Sequence, residues 1–145
     1  MSNFKKFTIL LVEDEPADAH LFRLALKEAH VIADLHHVND GVEALAFLRN
    51  EANYPTAPKP DLILLDLNMP RMNGRQFLQT IKQDAALHAI PVVILTTSDA
   101  ENDLVTSYNH NAAGYIVKPV DMDEFVNKIR GLEQYWVHLV RLPAS

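Results

Sequence analysis

Apolar residues in this chain come mostly in short solid runs rather than in strict alternation with polar ones. Phe7–Val12 (FTILLV), Asp61–Asp66 (DLILLD) and Pro91–Thr96 (PVVILT) are nearly uninterrupted, and each is followed at once by acidic or polar residues. A strand covered on one face alternates, whereas a strand covered on both reads as a continuous run, so these three predict interior strands of a parallel sheet. Ile32–Val38 and Gly114–Val117 are weaker strand candidates. Between the runs, apolar positions fall at helical spacing. Pro16–His30 carries Ala17, Leu21, Leu24 and Ala25 on one face, and Pro16 suits a first helical turn. Asp40–Ala52 opens on a residue able to cap it, Asp40, and carries Val42, Leu45 and Ala46. Asn73–Ala85 carries Phe77, Leu78, Ile81 and Ala85; Glu101–Ala112 is the least apolar, with Leu104, Val105 and Tyr108. A last helix begins at Asp121, with Glu124 at capping-box spacing.

Strands alternating with helices in this way imply an α/β fold: one doubly wound, five-stranded parallel sheet covered by five helices, the last of them extended. Asn50–Pro60 holds three prolines and no apolar periodicity, which predicts a surface loop. It is not a domain linker, because the strand after it continues the same alternation. The expected organisation is a single domain over residues 1–145, with a core at about 6–132 and a helical extension over 133–145.

Composition narrows the function. With 48% hydrophobic and 22% charged residues, a chain of 145 residues has the make-up of an ordinary globular domain, which excludes a disordered or fibrous protein. The absence of cysteine excludes a disulfide framework, a thiolate metal site and a cysteine nucleophile. A net charge of −6 makes nucleic acid and anionic lipid poor partners. The N-terminal apolar run is short and ends in acid, so it is neither a signal peptide nor a membrane span, and the expected setting is the cytoplasm.

Position carries more information than composition. Glu13, Asp14 and Glu15 follow the first strand directly, Asp66 closes the third, Thr96 the fourth and Lys118 the fifth. In a parallel sheet these strand ends share one edge, where such folds place their ligands. Each residue alone is commonplace: an acid after a strand solvates a loop or caps a helix, and a lysine there is a surface lysine. Together they are not. Carboxylates gathered in one place repel each other; a divalent cation removes that repulsion, and oxygen donors with waters suit Mg²⁺. Lys118 adds a second positive charge and Thr96 a donor for a bound oxyanion. An aspartate held beside Mg²⁺ and an ammonium group can act as a nucleophile toward a phosphoryl group.

On these residues the chain resembles the response-regulator receiver domains of two-component signalling. The match rests on Glu13-Asp14, on Asp66-Leu-Asn-Met-Pro-Arg-Met-Asn-Gly74, on Leu95-Thr96-Thr97-Ser98 and on Gly114-Tyr115-Ile-Val-Lys118-Pro119. The resemblance implies a flavodoxin-like sheet of order 2-1-3-4-5. It makes Asp66 the phosphoacceptor, with Asp14 on Mg²⁺ directly, Glu13 acting through water and Asn68 lending its backbone carbonyl. Glu13 departs from the aspartate common at that place, which leaves the detail of the metal shell open. Lys118 would pair with Asp66 or with its phosphoryl group, while Thr96 and Tyr115 would move on phosphorylation as the switch. The sequence Leu-Val-Glu-Asp-Glu-Pro-Ala-Asp at 11–18, Thr-Thr-Ser at 96–98, the long loop and the tail resemble the small regulators paired with bacterial and cyanobacterial phytochrome kinases. The implied partners are a phytochrome-type sensor histidine kinase and a downstream protein of unknown identity.

The chain beyond the receiver match is too short for an output domain, so a stand-alone regulator is expected. Phe125, Ile129, Leu132, Trp136 and Leu139 are spaced 4, 3, 4 and 3 apart, a coiled-coil-like seam. Phe125 and Ile129 suit packing on the domain's own sheet, but Trp136 and Leu139 lie past its edge, which favours a symmetric homodimer through the last helix. The seven histidines read as surface or interface residues; His36 and His37, adjacent on a strand, point to opposite faces and do not chelate one ion together. Three rival functions weigh less. An aspartyl phosphatase of the haloacid dehalogenase type needs a second aspartate where Asn68 stands. A nucleotide or flavin carrier needs a glycine-rich turn where Glu-Asp-Glu-Pro stands. A pseudo-receiver, binding without being phosphorylated, normally lacks the acceptor or the lysine, and both are present.

Overall fold

The computed structural model describes residues 7–28, 33–66, 74–96 and 114–117, together with Asp123, Val126, Asn127, Arg130 and Gly131. In chain order the elements are β1 (Phe7–Val12), α1 (Pro16–Glu28), β2 (Ala33–Val38), α2 (Gly41–Arg49), β3 (Leu62–Asp66), α3 (Gly74–Lys82), β4 (Val92–Thr96) and β5 (Gly114–Val117). The strands form one sheet in the order β2-β1-β3-β4-β5, every adjacent pair parallel. The continuous apolar runs are thus interior strands, as their composition requires. Asp123, Val126, Asn127, Arg130 and Gly131 are helical, while the expected helix over 101–112 lies outside the described residues.

Residue parity along the strands divides the core in two. Ile9, Leu11, Leu62, Leu64, Val93 and Leu95 pack with Phe22, Ala25 and Leu26 of α1 and with Val126. Leu10, Val12, Ile63, Leu65, Val92 and Ile94 pack with Leu45 and Phe47 of α2 and Phe77, Leu78 and Ile81 of α3. A period of two along each strand sends successive side chains to opposite faces, so a solid apolar run serves both layers at once.

Several boundaries and faces differ from the sequence expectation. In α1 the buried face is Ala19, Phe22, Ala25 and Leu26, whereas Ala17 and Leu24 are exposed and Leu21 is half-buried. The bulk of Phe22 decides the rotation, since turning the helix to bury Leu24 would bring that ring toward water. Asp40 caps α2 as its sequence implies, its Oδ1 accepting the Glu43 N–H at 2.9 Å. The helix ends at Arg49 rather than Ala52 because Asn50 turns left-handed, with φ 55°, and its N–H closes on the carbonyls of Ala46 and Phe47. Val42 lies on the exposed side, with Ala44 and Phe47 taking the core side. Helix α3 stops at Lys82, leaving Ala85 exposed.

The 50–60 segment is the surface loop that its composition predicts, largely exposed but tied down at several points. The Asn50 side-chain amide donates to the carbonyls of Tyr54 at 3.2 Å and Ala57 at 2.8 Å. Tyr54 and Ala57 pack against the α2–α3 core, and the Tyr54 ring stands 5.4 Å from that of Phe47.

Candidate functional site

Strand register brings the acids together. In the parallel β1·β3 pair Val12 stands opposite Leu65, so the next residues, Glu13 and Asp66, fall side by side. Neighbouring strands lie about 4.8 Å apart. One carboxylate oxygen from each of Glu13, Asp14 and Asp66 lies within 4.8 Å of the others. Glu13 is 1% and Asp66 5% exposed, while Asp14 faces solvent. Two like charges at this separation, at an effective dielectric near 20, repel by on the order of 3 kcal/mol before any counter-charge is added. Three carboxylates with no thiolate or imidazole among them form a hard oxygen-donor set that fits Mg²⁺ or a similar divalent ion.

The backbone that carries these acids is fixed at several points. The Glu13 N–H donates to the Val38 carbonyl at 3.0 Å, continuing the β1·β2 ladder by one residue. The Glu13 carbonyl accepts from His37 Nε2 at 2.6 Å, which requires the tautomer with the proton on that nitrogen. On the other side, Glu13 Oε2 accepts the Glu15 N–H at 3.2 Å. The Glu15 carbonyl then receives the Asp18 and Ala19 N–H groups, both at 3.1 Å, and α1 begins with Pro16 in its first turn. The chain therefore leaves β1, passes three acids, of which Glu13 and Asp14 join Asp66, and enters α1 at Pro16.

The other expected site residues are placed unevenly. Thr96 ends β4, one step past Leu95, the residue paired with Asp66, so it stands at the same sheet edge. Tyr115 lies on β5 opposite Ile94. Asn68, Lys118 and the seam residues Phe125, Ile129, Leu132, Trp136 and Leu139 lie outside the described residues.

Sequence reasoning missed two features. His37 is not simply a surface residue, since its ring is half-buried against the Glu13 backbone. The β1·β2 register, which pairs Leu11 with His37, places it there, and that register is invisible without knowing which strands are neighbours. His36 is also half-buried, with its ring 5.3 Å from Phe47. Both histidines line an open hollow of about 310 Å³ at the β2 edge, together with Tyr54, Thr56 and Pro58 of the loop. The second feature is a polar group around the start of α2. Glu43 Oε1 accepts from the Asn39 N–H and the Tyr54 hydroxyl, each at 3.3 Å. Burial first, and then the neighbouring Glu43 carboxylate, push the Tyr54 hydroxyl pKa above its usual value of 10.0. Between α3 and β4, burial lowers the pKa of Lys82, whose ammonium donates to the carbonyls of His88 and Ile90 at 2.9 and 3.3 Å. Among the described residues no helix is long and apolar enough to cross a membrane.

Comparison with known proteins places this geometry in a family. Residues 9–130 match the response regulator receiver domain. The chain is 42% identical over 137 residues to the response regulator Rcp1 of a Synechocystis strain, covering 94% of this chain and 93% of that one. Its fold superimposes with a TM-score of 0.81 on the crystal structure of the phosphorylated cyanobacterial phytochrome response regulator RcpA, at 42% identity and covering 92% and 95% of the two chains. It superimposes with a TM-score of 0.77 on the Mn²⁺-bound form of Rcp1, at 41% identity, covering 90% and 94%. With a parallel sheet of the expected strand order, paired acids after β1 and an aspartate closing β3, the chain belongs to the response regulator receiver domain family.

Proposed function

We propose that the protein is a phosphoryl-accepting switch in which Asp66 takes a phosphoryl group from the phosphohistidine of a sensor kinase in the cytoplasm. The observation that carries this reading is the convergence of Glu13, Asp14 and Asp66, with carboxylate oxygens within 4.8 Å of one another at one sheet edge. An Asp66 carboxylate oxygen attacks the phosphorus, a P–O bond forms, the P–N bond to the kinase histidine breaks, and the imidazole leaves. Asp14 and Asp66 would hold Mg²⁺ directly, Glu13 through water and Asn68 through its carbonyl; the ion supplies charge neutralisation for the transferring phosphoryl group. Buried on two sides by the sheet, Asp66 reaches the phosphorus from a fixed position rather than as a mobile surface acid.

Lys118 would neutralise the acceptor or its phosphoryl group, and Thr96 and Tyr115 would report its arrival. The similarity to the cyanobacterial phytochrome response regulator RcpA supports a phytochrome-type histidine kinase as donor. The receiver match over residues 9–130 supports a regulator that signals by binding a downstream protein. The seam from Phe125 to Leu139 supports a homodimer through the last helix; Trp136→Glu is expected to give a monomer by light scattering, and an unchanged dimer would remove the seam from the reading.

Incubation with a small acyl-phosphate donor, followed by intact-mass analysis, tests the acceptor. One added phosphoryl group is expected in Mg²⁺, none with chelator and none in Asp66→Asn. Labelling that persists in Asp66→Asn would place the acceptor elsewhere.

A further inference from the structure

We propose that His37 is a positioning residue for the acidic site, acting through the backbone rather than on the ion. This inference rests on the reading that Glu13 and Asp14 face a divalent cation. The His37 Nε2–H bond of 2.6 Å ends on the carbonyl of Glu13, and that carbonyl belongs to the same planar peptide unit as the N–H of Asp14. Fixing the carbonyl direction therefore fixes the plane that joins the two acids, and with it the Cα positions from which both carboxylates extend. The other end of Glu13 is held by its N–H on the Val38 carbonyl at 3.0 Å, so β2 grips this residue through successive positions, 37 and 38.

The grip is needed at this point. Regular β1·β2 pairing ends with Val12 opposite Val38, the Glu13 N–H adds one further ladder bond, and α1 begins at Pro16, so beyond that bond the peptide joining Glu13 to Asp14 has neither ladder nor helix to orient it. A ring from the edge strand supplies what a further ladder bond would have supplied. The ring engages the main chain, and the grouped donors at the site are the carboxylates of Glu13, Asp14 and Asp66, not His37. Outer contacts that orient ligands commonly govern affinity about 10–100-fold.

The test uses Mn²⁺ alone as the probe, with free ion followed by electron paramagnetic resonance, on the full chain and two variants. His37→Phe keeps a flat ring and removes the donor. His37→Gln returns an N–H at the same number of bonds from Cα as Nε2. Melting is followed by circular dichroism without metal, to separate a folding defect from a positioning one. The expected result is Mn²⁺ affinity about tenfold weaker in His37→Phe and restored toward wild type in His37→Gln. His37→Phe binding Mn²⁺ like wild type would overturn the inference while leaving the metal site intact. So would equal weakening in both variants, or weakening that only follows lowered melting. A wild-type protein that binds no Mn²⁺ would overturn the metal reading and this inference with it.

Discussion

Two groups of acids in this molecule are built on opposite terms. At the start of α2, each carboxylate has donors from its surroundings: Asp40 takes the Glu43 N–H, and Glu43 takes the Asn39 N–H and the Tyr54 hydroxyl. At the ends of β1 and β3, Glu13, Asp14 and Asp66 are gathered against one another, two of them buried, although Glu13 also accepts the Glu15 N–H. The first group caps a helix and ties down a loop, so its negative charge is absorbed by local dipoles. The second concentrates charge where a parallel sheet opens to ligands. An arrangement that works against folding and is retained at a strand edge marks chemistry rather than architecture. The lesson is that acid count says little; what the acids face decides whether they hold the fold or do its work.

The largest expected effect separates the groups outright. Asp66→Asn is expected to abolish phosphoryl incorporation, whereas Asp40→Ala should label as wild type by intact mass. Equal labelling of the two variants would erase the distinction. Next in size, Glu13→Gln and Asp14→Asn are each expected to weaken Mg²⁺ binding at least about tenfold in calorimetric titration, with Asp40→Ala unchanged.

How the sequence foretold these groups follows the same division. Asp66 and Asp14 were legible because each is tied to the end of a solid apolar run, and a parallel sheet sends all such ends to one edge. Asp40 was legible as a cap from its place before a helical pattern. The face of α1 was not, because Ala17, Leu21 and Leu24 also fall at helical spacing, and only packing against Leu62 and Leu64 shows that Phe22 faces inward. The early stop of α2 was hidden because it depends on Asn50 adopting a left-handed backbone, which asparagine permits without announcing. His37 and Tyr54 were hidden for a further reason: both act across elements, one through strand register and one through a loop folded back on α2.

Smaller effects sharpen the structural side. Asp40→Ala is expected to cost about 1 kcal/mol in urea unfolding through loss of the α2 cap, with or without Mg²⁺. A Mg²⁺-dependent loss would move Asp40 into the functional group. Smallest is the Tyr54 hydroxyl, whose pKa in the folded state is raised above the usual 10.0 by burial and then by Glu43. A phenol that ionises less readily when folded stabilises the fold fully below about pH 10, and that stability is lost as pH rises through the unfolded value toward the folded one. The urea midpoint is expected to fall over that range in wild type and less steeply in Tyr54→Phe; identical slopes would take Tyr54 out of the alkaline response.

If the edge acids await a cation while the α2 acids hold the fold, the melting temperatures of wild type and Asp14→Asn, each with and without Mg²⁺, will show it. Removing one of the gathered charges is expected to raise the melting temperature without Mg²⁺. The same change should remove most of the gain that Mg²⁺ gives wild type. An Asp14→Asn protein that melts lower without Mg²⁺, and gains as much from Mg²⁺ as wild type, would mean that the edge acids are not gathered for a cation.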